Sequence, residues 1–498
     1  MSLEQVGLYD SIEFSYNFDS KGTNPFDIPI HASFFDMIGK RKYVEGFYDG
    51  GNNYKIRFMP DKTGIWSYTV FINDSLLEKG RFECIPSRIK GPLIPDQNDP
   101  YHLNFLNGDP YYLLGNTAYC SISAYRSSRE NYCRLLDYYT ERNFNWTRFF
   151  LEETSFPMEG GFIWPWGGTP GEPDYNTFDQ AHFRIAEEII KEMAERNMIA
   201  SIILIHAQDE VHKKTGNRKL HIFRKYIHYA IARLGSYWNV VWDMANEWEL
   251  GGNFNYAEMD ELGYFLHSSD PYQRLTSCHH RGRFEFFDKE WTDISSLQHR
   301  GSPIQINQVA LQNRTFKKPV INEEYGYELD CHCPPNDPDN VRHDHWALAL
   351  AGAYGSYGDK TKGDKKGVYW SAMIGDAIDP QAPDMLKHLY SFITKTGYKD
   401  MVPSNSFVNE SAAGVFCLVN PGSEYIIYMI TGLGVTVNLT HVFGTVSVCW
   451  YNPRTGEYIP HKDMDVQMNQ LEPHEVTHDF SFLPPDYEND WILYIKKK

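Results

Sequence analysis

Between residues 101 and 395 the chain spells short apolar runs spaced too far apart for hairpins, with helical patterns between them. No other feature restricts its fold as much. Parallel strands cannot be joined by tight turns; each needs a crossover of a dozen or more residues, usually a helix. Eight runs fit: "PYYLLGN" (110–116), "FNWTRFFL" (144–151), "ASIILIH" (200–206), "NVVWDMANE" (239–247), "LTSCH" (275–279), "ISSLQH" (294–299), "KPVINEE" (318–324) and "AGAYGSYG" (351–358). The clearest helical pattern is 177–197, where Thr177 and Gln180 fit a capping box and Phe183, Ala186, Ile189, Ile190 and Met193 form one apolar stripe. A second runs over 223–238. Strands and helices alternating in this way predict an α/β fold, a (β/α)8 TIM barrel. A doubly wound open sheet is the alternative, but no GxGxxG or Walker-type loop follows an early strand.

The flanks read differently. "YKIRFMP" (54–60) and "IWSYTVFIND" (65–74) alternate apolar and polar positions, with the turn "DKTG" between them, as strands of a small sandwich do. The Pro-rich "KGPLIPDQNDP" (90–100) marks a boundary. After a helical pattern over 384–397 the alternation returns in "GVFCLVN", "EYIIYMI", "VTVNL", "VSVCWYN" and "DWILYIK". The expected organisation is an N-terminal Ig-like β-sandwich over 1–92, the barrel over 100–398 and a C-terminal β-sandwich domain over 399–498. No internal repeat and no low-complexity tract is visible.

The formal charge of −18 is the wrong sign for neutralising phosphates, so nucleic acid is excluded as a partner. No apolar run reaches 18 residues, so no membrane span is expected. Residues 1–14 carry neither a basic region nor an apolar core, which gives a cytoplasmic expectation, or a secreted one had a leader been removed. Eight scattered Cys, at 84, 120, 133, 278, 331, 333, 417 and 449, suit reduced thiols better than a disulfide framework. Aromatics at 15% suit a surface for flat, amphipathic ligands, although aromatic-heavy strands would give the same surplus.

Candidate chemistry sits at strand ends. The fourth run closes on Asn246 and Glu247, and the seventh on Glu323 and Glu324 followed by Tyr325 and Gly326. Barrel active sites lie at the C-terminal ends of the strands, where two carboxylates from opposite sides can face each other. Such a pair is what glycosidic cleavage requires: one protonates the leaving oxygen, the other meets the oxocarbenium-like centre. Taken alone, Glu247 could equally be a solvated loop carboxylate.

Asn-Glu after the fourth strand and Glu-aromatic-Gly after the seventh resemble the clan A glycoside hydrolases, the retaining (β/α)8 group that includes family 5 cellulases and mannanases. "VEGFYDGGNNYKIRFMPDKTGIWSY" (44–68), "NGDPYYLLGNTAY" (107–119), "RFFLEE" (148–153) and "VCWYNPRTGE" (448–457) resemble a bacterial, apiosidase-like group. In that group such a barrel stands between a small sandwich and a collagen-binding-type β-domain. The resemblance implies an O-glycosyl hydrolase working by retaining double displacement on an oligosaccharide or polysaccharide of plant origin. It implies no cofactor and no metal, and leaves the oligomeric state open. Some members carry Asp where Glu247 stands, so the sugar stays open as well.

By the same resemblance Glu247 is the acid/base and Glu324 the nucleophile, with Glu323 one position early. Arg148 would sit beside the nucleophile, unless it pairs on a helix face. Asn246 would bind the sugar 2-hydroxyl, unless it caps the next helix. Asn116, His206 and His299 stand at strand ends where they could contact sugar hydroxyls, His299 also orienting the nucleophile. Trp164, Trp166 and Trp370 are stacking candidates, although the first two could equally pin their Gly/Pro-rich loop. Two other readings remain: a silent carbohydrate-binding barrel, and a zinc hydrolase built on Cys331, Cys333, His343 and His345. The Cys-x-Cys and His-x-His spacing is not standard for zinc, and a variable loop fits 331–345 better.

Overall fold

The computed structural model describes residues 3–155, 161–282, 284–328, 336–359, 381–409, 414–466 and 478–498. At its centre runs one parallel sheet of nine strand segments. They are β1 (Leu114–Thr117), β2 (Trp146–Phe150), β3 (Ile199–His206), β4 (Val240–Asn246), β5 (Thr276–Ser277), β6 (His280–Arg281), β7 (Ser295–Gln298), β8 (Val320–Asn322) and β9 (Tyr354–Tyr357). Their hydrogen-bonded order is β5-β4-β3-β2-β1-β9-β8-β7-β6, and every neighbouring pair is parallel. All eight expected runs contribute a strand to it; the fifth, 275–279, supplies β5, and β6 begins just beyond its end. The two outermost segments of the sheet are thus separated by two residues of chain.

Each position of β3 and β4 is buried. A parallel sheet covered on both faces demands near-continuous apolar runs, and this explains why these strands lack period-two alternation. The Gln180–Glu195 helix turns Phe183, Ala186, Ile189, Ile190 and Met193 inward as its stripe requires. Its cap differs from expectation. Asp179 accepts from the Ala181 and His182 N–H groups, while Thr177 belongs to the Pro173–Phe178 strand and donates its hydroxyl to Asp174. A carboxylate beside the first free N–H groups displaces the more distant Thr. The 331–345 stretch is not all loop: Pro338–Leu350 is a helix capped by Asp337. Among the described residues no helix is long and apolar enough to cross a membrane.

β-rich units flank this sheet. N-terminal strands form a five-stranded and a three-stranded sheet around Phe14, Phe34, Phe58, Trp66 and Phe82, with the Phe34 and Phe58 rings stacked at 3.9 Å. C-terminal strands Val415–Asn420, Glu424–Met429, Trp491–Lys497 and Gly444–Tyr451 pair antiparallel over a core holding Trp450, Trp491 and Ile427.

A buried arginine locks each flank to the centre. Arg57 donates to the Arg233 carbonyl at 2.7 Å and to Glu187 at 2.9 Å. Burial alone would raise the Glu187 carboxyl, but Arg233 and Arg57 hold it down to about 2. On the other side Arg342 forks onto Asp490, Nε to Oδ2 and Nη2 to Oδ1, both at 2.9 Å. Removing one partner of such a pair strands the other charge away from water. Arg342→Ala is therefore expected to lower stability by about 3 kcal/mol, measured by urea denaturation; a loss under about 1 kcal/mol would mean that the pair behaves as a solvent-screened one.

Candidate active site

The site grows from Arg148, the only charged residue of β2, whose guanidinium has no exposure. A buried charge needs partners on several sides. Its Nε donates to Asp243 Oδ2 at 2.7 Å and its Nη2 to Asn246 Oδ1 at 2.8 Å, both on β4. Its Nη1 donates to the Tyr119 hydroxyl at 3.1 Å and stands 3.6 Å from Glu324 Oε1. One side chain thus ties β4 to the chain just after β8, at the C-terminal end of the parallel sheet that forms the mouth of the candidate site.

Glu247 is the residue after β4 and adopts φ 43°, a left-handed backbone rarely taken by a residue with a Cβ. The turn swings its partly exposed side chain out of the strand, where Gln208 Nε2 donates to Oε2 at 2.7 Å. Behind it Trp248 is buried against Phe286, ring centroids 5.1 Å apart, fixing the chain that follows.

Glu324 is buried and multiply held. Tyr119 donates its hydroxyl to Oε1, Gln298 Nε2 donates to Oε2 at 3.0 Å, and His279 Nε2 lies 3.8 Å from Oε1. Tyr327 in turn donates to the Tyr119 oxygen at 3.2 Å. Burial pushes the Glu324 carboxyl up to about 8, opposed by a Tyr327 hydrogen bond. Burial also dominates the Tyr327 phenol, raised further by the charges of Glu324 and Glu247, which places that hydroxyl within the field of both carboxylates.

Glu323 is buried too. Burial lifts its carboxyl to about 7, with Arg148 pulling down and Asp243 pushing up. Adjacent residues of a strand face opposite ways, yet both these carboxyls sense Arg148 or lie near it. The reason is that β8 ends at Asn322, so strand alternation no longer governs the two glutamates.

The other expected residues divide. Asn246 takes the Arg148 bond on its Oδ1 and caps no helix; the next helix is capped by Asn255. Asn116 is 1% exposed, and its Oδ1 accepts from Thr147 Oγ1 at 2.8 Å. His206 is fully buried, its Nδ1 3.3 Å from Asp209 and 3.6 Å from Glu153, so carboxylates and not the mouth surround it. His299 does not orient Glu324: its backbone exchanges hydrogen bonds with the Asn322 side chain, and Gln298, one residue earlier, makes the contact. Trp166 has no exposure and packs against Tyr226 and Trp164, while Trp164 donates to the Gly167 carbonyl. Both indoles pin their loop. Trp370, Cys331 and Cys333 lie outside the described residues. His343 stands 3.8 Å from Asp490, whereas His345 meets Tyr325 and the Val341 carbonyl, so these two imidazoles serve different neighbours.

Tyr119, Gln208, Asp243, Gln298 and Tyr327 were not singled out from the sequence. Asp243 had a signal, since a charge inside "VVWDMAN" must find a partner once the strand is buried. Tyr119 and Tyr327 also follow strand ends closely, in "GNTAY" and "NEEYGY". Gln208 carries no such mark.

The comparisons with known proteins agree with this architecture. The family model described as "Apiosidase-like, catalytic domain" matches residues 97–362. A domain of unknown function matches 5–73, and a model named for a proposed collagen-binding domain of a collagenase matches 402–496. A crystal structure described as a proposed glycoside hydrolase from Bacteroides vulgatus is 23% identical, with a TM-score of 0.84, 99% of this chain and 100% of that chain covered. A glycoside hydrolase family 5 structure, also from Bacteroides vulgatus, is 18% identical with a TM-score of 0.67, covering 82% and 93%. At these identities the likeness is one of fold. No curated protein matches the chain.

The raised carboxyls carry a stability signature. Between the ordinary Glu range and about 8 the folded chain keeps a proton on Glu324 that the unfolded chain releases. Folding then binds more protons than unfolding, so stability falls as pH rises through that window. Glu323 adds the same sign up to about 7. Melting temperature should decline from pH 5 to 8, and Glu324→Gln, which cannot ionise, should flatten the decline; an unchanged slope in differential scanning fluorimetry would show that Glu324 is ionised throughout.

Proposed function

The chain belongs to the family of apiosidase-like catalytic domains, and from that premise we propose that it is a glycosidase cleaving O-glycosidic bonds of a plant-derived oligosaccharide or polysaccharide by double displacement. In this reading β5 and β6 are two pieces of one strand position, so the sheet is a closed ring of eight positions in a (β/α)8 barrel over 100–398. The flanking β-domains span 1–92 and 399–498. The observation that carries the proposal is the Arg148 guanidinium, shared between Asn246 beside Glu247 and the hydroxyl and carboxylate of the Tyr119–Glu324 pair.

Glu324 attacks the anomeric carbon, and Glu247 gives its proton to the departing oxygen. Glu247 then takes a proton from water as that water displaces the sugar from Glu324. The environments suit these roles. Glu324 receives Tyr119, Gln298 and the nearby Arg148 charge, all of which favour an ionised nucleophile once substrate is in place. Glu247 is partly exposed and accepts from the Gln208 amide, on the side where the water of the second step can reach it. Asn246, oriented by Arg148 through its carbonyl oxygen, keeps its NH2 group for the sugar 2-hydroxyl.

Because attack needs Glu324 ionised, the acid limb of the kcat/KM profile should lie nearer neutrality than an ordinary carboxylate would place it. On an aryl-glycoside panel, Glu324→Ala and Glu247→Gln should each lower kcat by about a thousandfold or more. NMR of the first-formed sugar should show the starting anomeric configuration. Inverted product would refute double displacement. Activity surviving in Glu324→Ala would refute the nucleophile, and a wild-type protein that binds glycans without turnover would be a silent carbohydrate-binding barrel.

A further inference from the structure

A second polar cluster lies behind the mouth, where the chain leaving β2 meets the chain leaving β3. Glu152, Glu153, His206, Asp209 and His212 are all 0–1% exposed. Their ligand-type atoms form two sets sharing Asp209: Glu152, Asp209 and His212 in one, Glu153, His206 and Asp209 in the other, all within 4.8 Å inside each set. In the second set the side chains answer one another, His206 Nδ1 lying 3.3 Å from Asp209 and 3.6 Å from Glu153.

The first set is not balanced. Glu152 Oε2 accepts from the His206 N–H at 3.1 Å and lies 3.3 Å from His212 Nε2. Among the described residues, however, Glu152 Oε1 and His212 Nδ1 have no hydrogen-bond partner. An ionised carboxylate buried this way keeps an oxygen without a donor. A protonated one would need an acceptor for its O–H at that oxygen. Neither form is satisfied by the protein alone.

We propose that Glu152, Asp209 and His212 bind a divalent first-row transition-metal cation. Two carboxylates and one imidazole make a hard-to-borderline oxygen and nitrogen donor set, of the kind Zn2+ and its neighbours accept. The Asp209 carboxylate is aimed by the Thr154 N–H at 2.7 Å and the Thr154 hydroxyl at 3.0 Å, the outer-shell bonding that fixes metal ligands. The cation gives the unpartnered Glu152 oxygen and His212 nitrogen a common partner. It also bolts the end of β2 to the 206–212 segment, which carries Gln208, the donor on Glu247. Its part is architectural.

The purified full chain, stripped with EDTA, is titrated with Zn2+ by calorimetry and its metal content read by mass spectrometry. One equivalent per chain is expected, together with a raised melting temperature and an anomalous scattering peak among Glu152, Asp209 and His212 in Zn2+-treated crystals. Glu152→Gln, near-isosteric, should weaken binding by about tenfold or more while the apo chain keeps its circular dichroism. Absence of stoichiometric binding by the wild type overturns the proposal, whatever the variants do. So does a peak elsewhere, or an unaltered affinity in a folded Glu152→Gln. These readouts are independent of sugar turnover, so they stand apart from the glycosidase reading.

Discussion

Everything at the mouth depends on a guanidinium that has no water. The Arg148 guanidinium has no exposure, so each of its donors must be answered by protein. Asp243 neutralises it, the Asn246 carbonyl and Tyr119 oxygen fill its remaining geometry, and Glu324 lies close enough to share its charge. A planar fork satisfied in three directions fixes the relative placement of three strands more tightly than apolar contacts could, because its energy falls away with angle as well as distance. Geometry at the two acidic strand ends follows from that demand.

The central sheet was legible because burial on both faces leaves little freedom in composition: all eight apolar runs became strands, with limits shifted by a few residues. The capping residue of the 180–195 helix was read two residues early for a local reason. Thr177 and Asp179 both offer a cap oxygen, and the extra strand Pro173–Phe178 claims the first of them. Sequence patterns give an element's face more firmly than its end, because ends are decided by a competition among polar groups.

The site was legible in its carboxylates and less so in their support. The clan resemblance added Arg148, whereas Glu247, Glu324 and Asn246 stand at the ends of apolar strands. His299 was named for the same reason, and the contact to Glu324 fell to Gln298 because β7 stops one residue sooner. Asn116, His206 and Trp166 show the other difficulty. A polar or aromatic residue near a strand end can turn towards a ligand or be satisfied within the protein, and in this chain Thr147, Asp209 and Tyr226 are the neighbours of these three. Gln208 comes from a different loop from its partner and could only be found in three dimensions.

The two arginine locks have a consequence for how the flanking units meet anything large. Flanking β-modules on flexible tethers search a neighbourhood and raise the local concentration of the enzyme they are joined to. Here Arg57 of the N-terminal unit reaches Glu187 and the Arg233 carbonyl of the central one, and Arg342 of the central unit reaches the buried Asp490 of the C-terminal one, so each flank is pinned by a desolvated ion pair. Anything a flank holds is presented at one fixed distance and angle from the mouth. Reach is traded for registry, as in a caliper rather than a fishing line.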